Sequence, residues 1–298
     1  MVELGKYHAR TFYINGLNLG EERFIWDDKL MIMDGGNKEG NIAVAHILFE
    51  QPMPEMGTNT EDYVDAESRL SAKGIHLVSV FLACFKLSNS MSYYPRINRS
   101  MHGGHPLKSI EDFKSYGHKN NPFLNTDMPK ESVENNLKFL ENTIPLFDKV
   151  MKNIDFEQKR QKNPLALSLP IFQKIHGIDI ESVIDYSTVL ESLVCENEGE
   201  LKFKFALRTS LLISNDSKSR KELFDFLKKV YNIRSSLVHG SEISFRTFSR
   251  EHVDIVLNLE NIVKRALLEY LEFVNSGLSK KEIIGKLDEK ALGISDDQ

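Results

Sequence analysis

The sequence predicts an α+β protein: a β-rich N-terminal domain that also carries helices, followed by an all-α helical bundle. Three observations predict it. Short apolar runs divided by turn residues fill the first 57 positions. From Pro164 onward, apolar residues recur at spacings of three and four. Between these regions the polar stretch DFEQKRQKN, 155–163, reads as a boundary, giving domains 1–155 and 156–298.

The elements follow in order. RTFYI (10–14), RFIW (23–26), LMIM (30–33) and IAVAHILF (42–49) are strand-like, and NGLNLG and DGGNKEG between them are turn chemistry. QPMPEMGTNT ends that section. From Glu61 to about Leu87 the pattern turns helical, with the apolar second half IHLVSVFLACF. Residues 89–125 are loop-like, carrying Pro95, Pro106, Pro122 and the HGGH of 102–105. A helix starts near Asp127, with Pro129 in its first turn, and runs to about Asn153 with a kink expected at Pro145. The bundle then comprises helices at about 164–176, 179–195, 200–213, 217–239 and 249–276, with a short last one at 279–290 and a frayed GISDDQ tail. There is no internal repeat and no low-complexity segment.

Composition narrows the class. The chain is 41% hydrophobic and 27% charged, as in ordinary globular proteins. No run of consecutive apolar residues approaches the roughly 18 of a membrane helix, and MVELGKYHAR lacks the apolar core of a signal peptide. Two cysteines in apolar helical surroundings, Cys84 and Cys195, argue against a disulfide framework and fit a reducing cytoplasm. The net charge is −5, yet nine Lys/Arg against three acids between Leu201 and Arg234 make that segment locally basic by six. Lys204, Lys228 and Lys229 in it are candidates for contact with a phosphate backbone, and a solvated helix face is the other reading.

The stretch VYNIRSSLVHGSE, 230–242, carries the chemistry. Leu223, Leu227, Val230 and Leu237 form one stripe, widened by Phe226 and Ile233, and Arg234 falls within it. A guanidinium keeps its charge in proteins, so a stripe position demands acceptors. Glu191, on the edge of the 179–195 stripe, is the best protein candidate, and a phosphate is the other. His239 follows five residues later, about 140° away around a straight helix. Ser235 and His239 share a face. Either the helix distorts at Gly240, or two copies of the helix, facing across a two-fold axis, bring two Arg and two His into one cleft. Such a cleft suits RNA cleavage. Histidine takes the 2′-hydroxyl proton or protonates the leaving 5′-oxygen, arginine holds the scissile phosphate, and the RNA supplies its own nucleophile, giving 2′,3′-cyclic phosphate ends. A histidine before a helix-ending glycine is also an ordinary capped C-terminus, and the arginine then simply pairs with Glu191.

Four blocks in order, NPLALSLPIF (163–172), VIDYSTVLESLV (183–194), LKFKFALRTSLLI (201–213) and VYNIRSSLVHG (230–240), the last holding the Arg-x4-His of RSSLVH, make residues 164–275 resemble an Apea-like HEPN domain. The resemblance implies a four-to-five-helix bundle that dimerises, metal-independent ribonuclease activity without cofactor, and roles in anti-phage defence or toxin–antitoxin systems. Carried onto this chain, Arg234 and His239 are catalytic, Ser235 is the polar helper, and Glu191, Arg208 and Tyr231 support the site. Ser235 departs from the family pattern, where Asn, Asp or His is usual. Some members are non-catalytic and only dimerise or bind RNA or nucleotides.

The first 155 residues carry no such resemblance. By analogy of layout they sense or regulate, with a phage or defence-system protein as the expected partner. HGGH, without a nearby Cys, Asp or second pair, reads as a turn and not as a metal site. Trp26 and Phe24 read as core, and YYPRINR (93–99) is the best N-terminal contact patch through Tyr93, Tyr94, Arg96 and Arg99. There is no phosphate-cradling glycine loop and no serine-nucleophile elbow.

Overall fold

The computed structural model describes residues 7–15, 17, 19, 23–27, 29–34, 42–49, 60–88, 96–107, 130–154, 163–175, 179–196, 199–239 and 250–294. The chain is α+β, and it forms two compact units, Met1–Pro145 and Leu146–Gln298. Their division falls inside a helix at Pro145, ten residues before the polar stretch 155–163. That stretch lies outside the described residues apart from Asn163.

The first unit is a five-stranded antiparallel sheet with a long helix against it. Its strands are β1 (Tyr7–Asn15), β2 (Arg23–Trp26), β3 (Leu30–Asp34), β4 (Ile42–Phe49) and β5 (Arg96–Leu107), ordered β2-β3-β4-β1-β5. β5 corrects the loop expected there. HGGH lies within this strand, with His105 opposite Ala9 and His102 opposite Thr11. One residue of β1 faces two glycines of β5 at that point, a bulge that breaks the alternation by which strands are recognised. Tyr93 and Tyr94 lie outside the described residues.

Helix α1 (Thr60–Ser88) packs on β1, β4 and β5. The segment Ser68–Ser88 is long and apolar enough by composition to cross a membrane, which the run-length reading missed, and 78% of it is buried inside the protein. Phe81 stacks on Phe24 at 5.3 Å, so Phe24 is core. Gly74 lets the helix sit directly on the sheet: a Cβ there would lie 2.5 Å from the Phe12 ring. Helix α2 (Lys130–Met151) holds Pro145 within it, and Thr143 meets Ser88 of α1 at 3.0 Å. Its expected N-cap, Asp127, lies outside the described residues.

The second unit contains α3 (Pro164–Lys174), α4 (Ser182–Val194), α5 (Leu201–Ile213), α6 (Ser217–Val238), α7 (Arg250–Asn275) and α8 (Lys280–Ala291). Asn163, Asp216 and Ser279 cap α3, α6 and α8 through their side chains, Ser279 in a reciprocal box with Glu282. α4 is the hub, touching α3, α5, α6, α7 and α8. Its Val183, Tyr186, Val189, Leu190, Leu193 and Val194 are buried, which is why the helix is apolar nearly all round. Cations close the ends of the two central helices. Arg208 and Lys280 donate to the carbonyls of Val194 and Cys195, and Arg265 and Lys290 to those of Ile213 and Leu211.

Candidate functional site

The site begins with α6. Asp216 starts the helix by accepting from the Lys218 and Ser219 amides at 3.0 and 3.1 Å, and hydrogen bonding from Ser219, its hydroxyl first and its amide next, lowers the carboxyl pKa. Of the six apolar stripe residues only Leu227 and Val230 are buried. Leu223, Phe226, Ile233 and Leu237 are half-covered.

Arg234 occupies its stripe position beside α4. Its Nη2 donates to Glu191 Oε2 at 3.0 Å, with side-chain exposures of 23% and 20%. The guanidinium also lies over the Tyr231 ring, 5.6 Å from its centroid. The pair is not saturated: Arg234 Nε and Glu191 Oε1 are buried and make no hydrogen bond among the described residues. Burial raises the Glu191 carboxyl above its ordinary value, and the charge and hydrogen bond of Arg234 offset that only in part. A guanidinium held this way keeps N–H donors for an oxyanion while its direction is set by one carboxylate and one ring. Tyr231 is packed against Phe205 at 5.5 Å, and burial followed by the Glu191 charge raises its phenol.

His239 closes α6 as its C-cap. Its backbone N–H bonds the Ser235 carbonyl at 3.0 Å, so the helix is regular up to this residue. Gly240, the proposed point of distortion, lies outside the described residues. The imidazole is exposed, Ser235 is half-buried, and no bond among the described residues joins Arg234 to His239. One protomer thus holds Arg234 against α4 and leaves His239 at the open helix end, about 140° around the helix axis.

Arg208 does not join them. It is 4% exposed and grips Asp288 of α8 with two bonds of 2.8 Å. With its third bond to the Val194 carbonyl it is a structural clasp of α4, α5 and α8. The basic segment is also less basic in space than in sequence. Asp288, Glu251 and Glu191, all from outside it, pair with Arg208, Lys229 and Arg234, so pairs among the described residues alone bring the excess of six down to three. Lys229 is bound to Glu251 at 2.6 Å. Lys228 instead lies over the Phe224 ring at 5.2 Å. Lys204 stands on α5, part-exposed.

Sequence reasoning missed Asp288, eighty residues from its partner, and it missed a groove of about 800 Å³ beside Tyr231. Gly199, Glu200, Leu201, Lys202, Phe203, Lys228 and Tyr231 line the groove. The signal for it was present in LKFKF: a helix start that alternates Lys and Phe cannot bury both rings on one face. No group of three or more His, Cys, Asp or Glu that could hold a metal ion occurs among the described residues. Compared with protein-family models, with curated proteins and with solved structures, the chain matches none.

Proposed function

We propose that the protein is a metal-independent endoribonuclease of HEPN type, acting as a homodimer in the bacterial cytoplasm in anti-phage defence or a toxin–antitoxin pair. One observation carries this reading: Arg234 is aimed by Glu191 and Tyr231 with N–H donors to spare, and an exposed His239 ends the same helix. Arg234 holds the scissile phosphate and stabilises its developing charge. His239 exchanges protons with the 2′-hydroxyl and the 5′-oxygen. Ser235, on the histidine's face, is the polar helper. Because Arg234 and His239 diverge on one helix, the complete site takes them from two copies of α6. The half-covered Leu223, Phe226, Ile233 and Leu237 and the exposed Val238 are the apolar surface available for that pairing. The N-terminal unit is the sensing or regulatory part, with a phage or defence-system protein as its ligand.

A second reading is favoured by the same ion pair. Arg234 already has a carboxylate, as expected of a non-catalytic dimer that binds RNA or a nucleotide. Incubating wild type, Arg234→Ala and His239→Ala with total RNA and tRNA in EDTA separates the two. Cleavage by wild type alone, leaving 2′,3′-cyclic phosphate ends, with His239→Ala as thermally stable as wild type, establishes the nuclease. Binding without turnover that is indifferent to His239→Ala establishes the module.

A further inference from the structure

We infer that the groove between the start of α5 and the middle of α6 is a binding site for one nucleotide unit of single-stranded RNA. Its base stacks on Phe203, and its flanking phosphates lie on Lys202 and Lys228. The Phe203 side chain is 50% exposed although its ring meets Phe224 at 5.7 Å in a T-shaped contact. A large ring left half in water inside a concavity is an unfilled stacking surface. Two ammonium groups flank it. Neither Lys202 nor Lys228 meets a carboxylate among the described residues, whereas the neighbouring Lys229 is tied to Glu251. Tyr231 also lines the groove, and its ring carries the Arg234 guanidinium 5.6 Å from its centroid, so a strand seated here has that guanidinium within reach of its next unit. The one carboxylate lining the groove, Glu200, belongs to a residue in the left-handed region (φ 61°) and disfavours a free polyphosphate more than a strand carrying one charge per unit. The volume of about 800 Å³ is in the range of a small-ligand site. The proposal rests on the RNA reading above only for the identity of the strand.

The test is fluorescence anisotropy with the full-length protein and a labelled 2′-O-methyl oligouridylate, a strand that lacks the nucleophile and cannot be cleaved. Phe203→Ala removes the stacking surface. Gly199→Trp fills the groove from a position where an added Cβ meets nothing within 4 Å. Each is expected to weaken binding about tenfold while the melting temperature stays that of wild type. Lys202→Gln with Lys228→Gln is expected to lower the slope of log K against log salt by about 1.4, about 0.7 for each phosphate contact. The groove is refuted by wild-type affinity in the first two variants. It is equally refuted by absence of binding in wild type, or by equal displacement with uridine monophosphate or duplex RNA. Because the probe is uncleavable, the outcomes separate. Lost binding in the variants with no cleavage of natural RNA keeps the groove and ends the nuclease. Cleavage with unaffected binding does the reverse.

Discussion

Replacing Asp288 with Ala tests whether Arg208 is a clasp and not part of a reactive site. The substitution removes two charge-assisted bonds of 2.8 Å from a guanidinium that is 4% exposed and that also donates to the Val194 carbonyl at 3.2 Å. Breaking a fully buried pair costs about 3–5 kcal/mol, because the orphaned charge cannot leave. Asp288 is itself 49% exposed, so water reaches the space its carboxylate leaves and the Coulomb attraction is partly screened. About 2 kcal/mol is the resulting expectation. For a unit of this size that lowers Tm by roughly 4–8 °C. The assay is thermal unfolding followed by helical circular dichroism, with Lys229→Ala as the control, since the Lys229–Glu251 pair is exposed and its loss should be unresolvable. Arg208→Met combined with Asp288→Ala should recover most of the loss, because no uncompensated charge remains. A Tm for Asp288→Ala indistinguishable from that of the control would refute the reasoning and return Arg208 to the list of residues free to act on a ligand.

Two further outcomes follow from packing and from titration. Gly74→Ala gains helix propensity of about 1 kcal/mol but drives a Cβ to 2.5 Å from the buried Phe12 ring, so a net loss of about 1–2 kcal/mol is expected; denaturant unfolding of the N-terminal unit measures it, and stabilisation would show that the ring can yield. Burial holds the Glu191 carboxyl above its ordinary 4.5, so the native state binds that proton more tightly than the unfolded chain. Stability from this group is therefore fully present below about 4.5 and falls as pH rises through the native value. In Tm measured from pH 4 to 8, Glu191→Gln should gain on wild type over that window, and a widening deficit instead would mean that the attraction of Arg234 outweighs desolvation.

Which parts of this were legible in the sequence depends on the range of the interactions. The four early strands and the helices of the second unit were readable to within a few residues, because period-2 alternation and period-3.6 stripes are local. β5 was not, since two glycines and a proline hide the alternation and its pairing with β1 lies some ninety residues away. Arg234 announced its need for an acceptor by sitting on an apolar stripe, and residue type alone singled out Glu191, which is its partner at 3.0 Å.

The sequence by itself determined the α+β class, the helical order of the C-terminal half, and the placing of one arginine and one histidine on the same helix. These follow from the chain's own periodicity. Only the tertiary structure decided that Arg208 is bound to Asp288, that α6 keeps much of its stripe half-covered, and that Phe203 and Lys228 share a groove. Burial and pairing there depend on which helix lies opposite. That is a property of packing between segments far apart in the chain: LKFKF signals that one ring stays out of the core, but not which helix lies beside it.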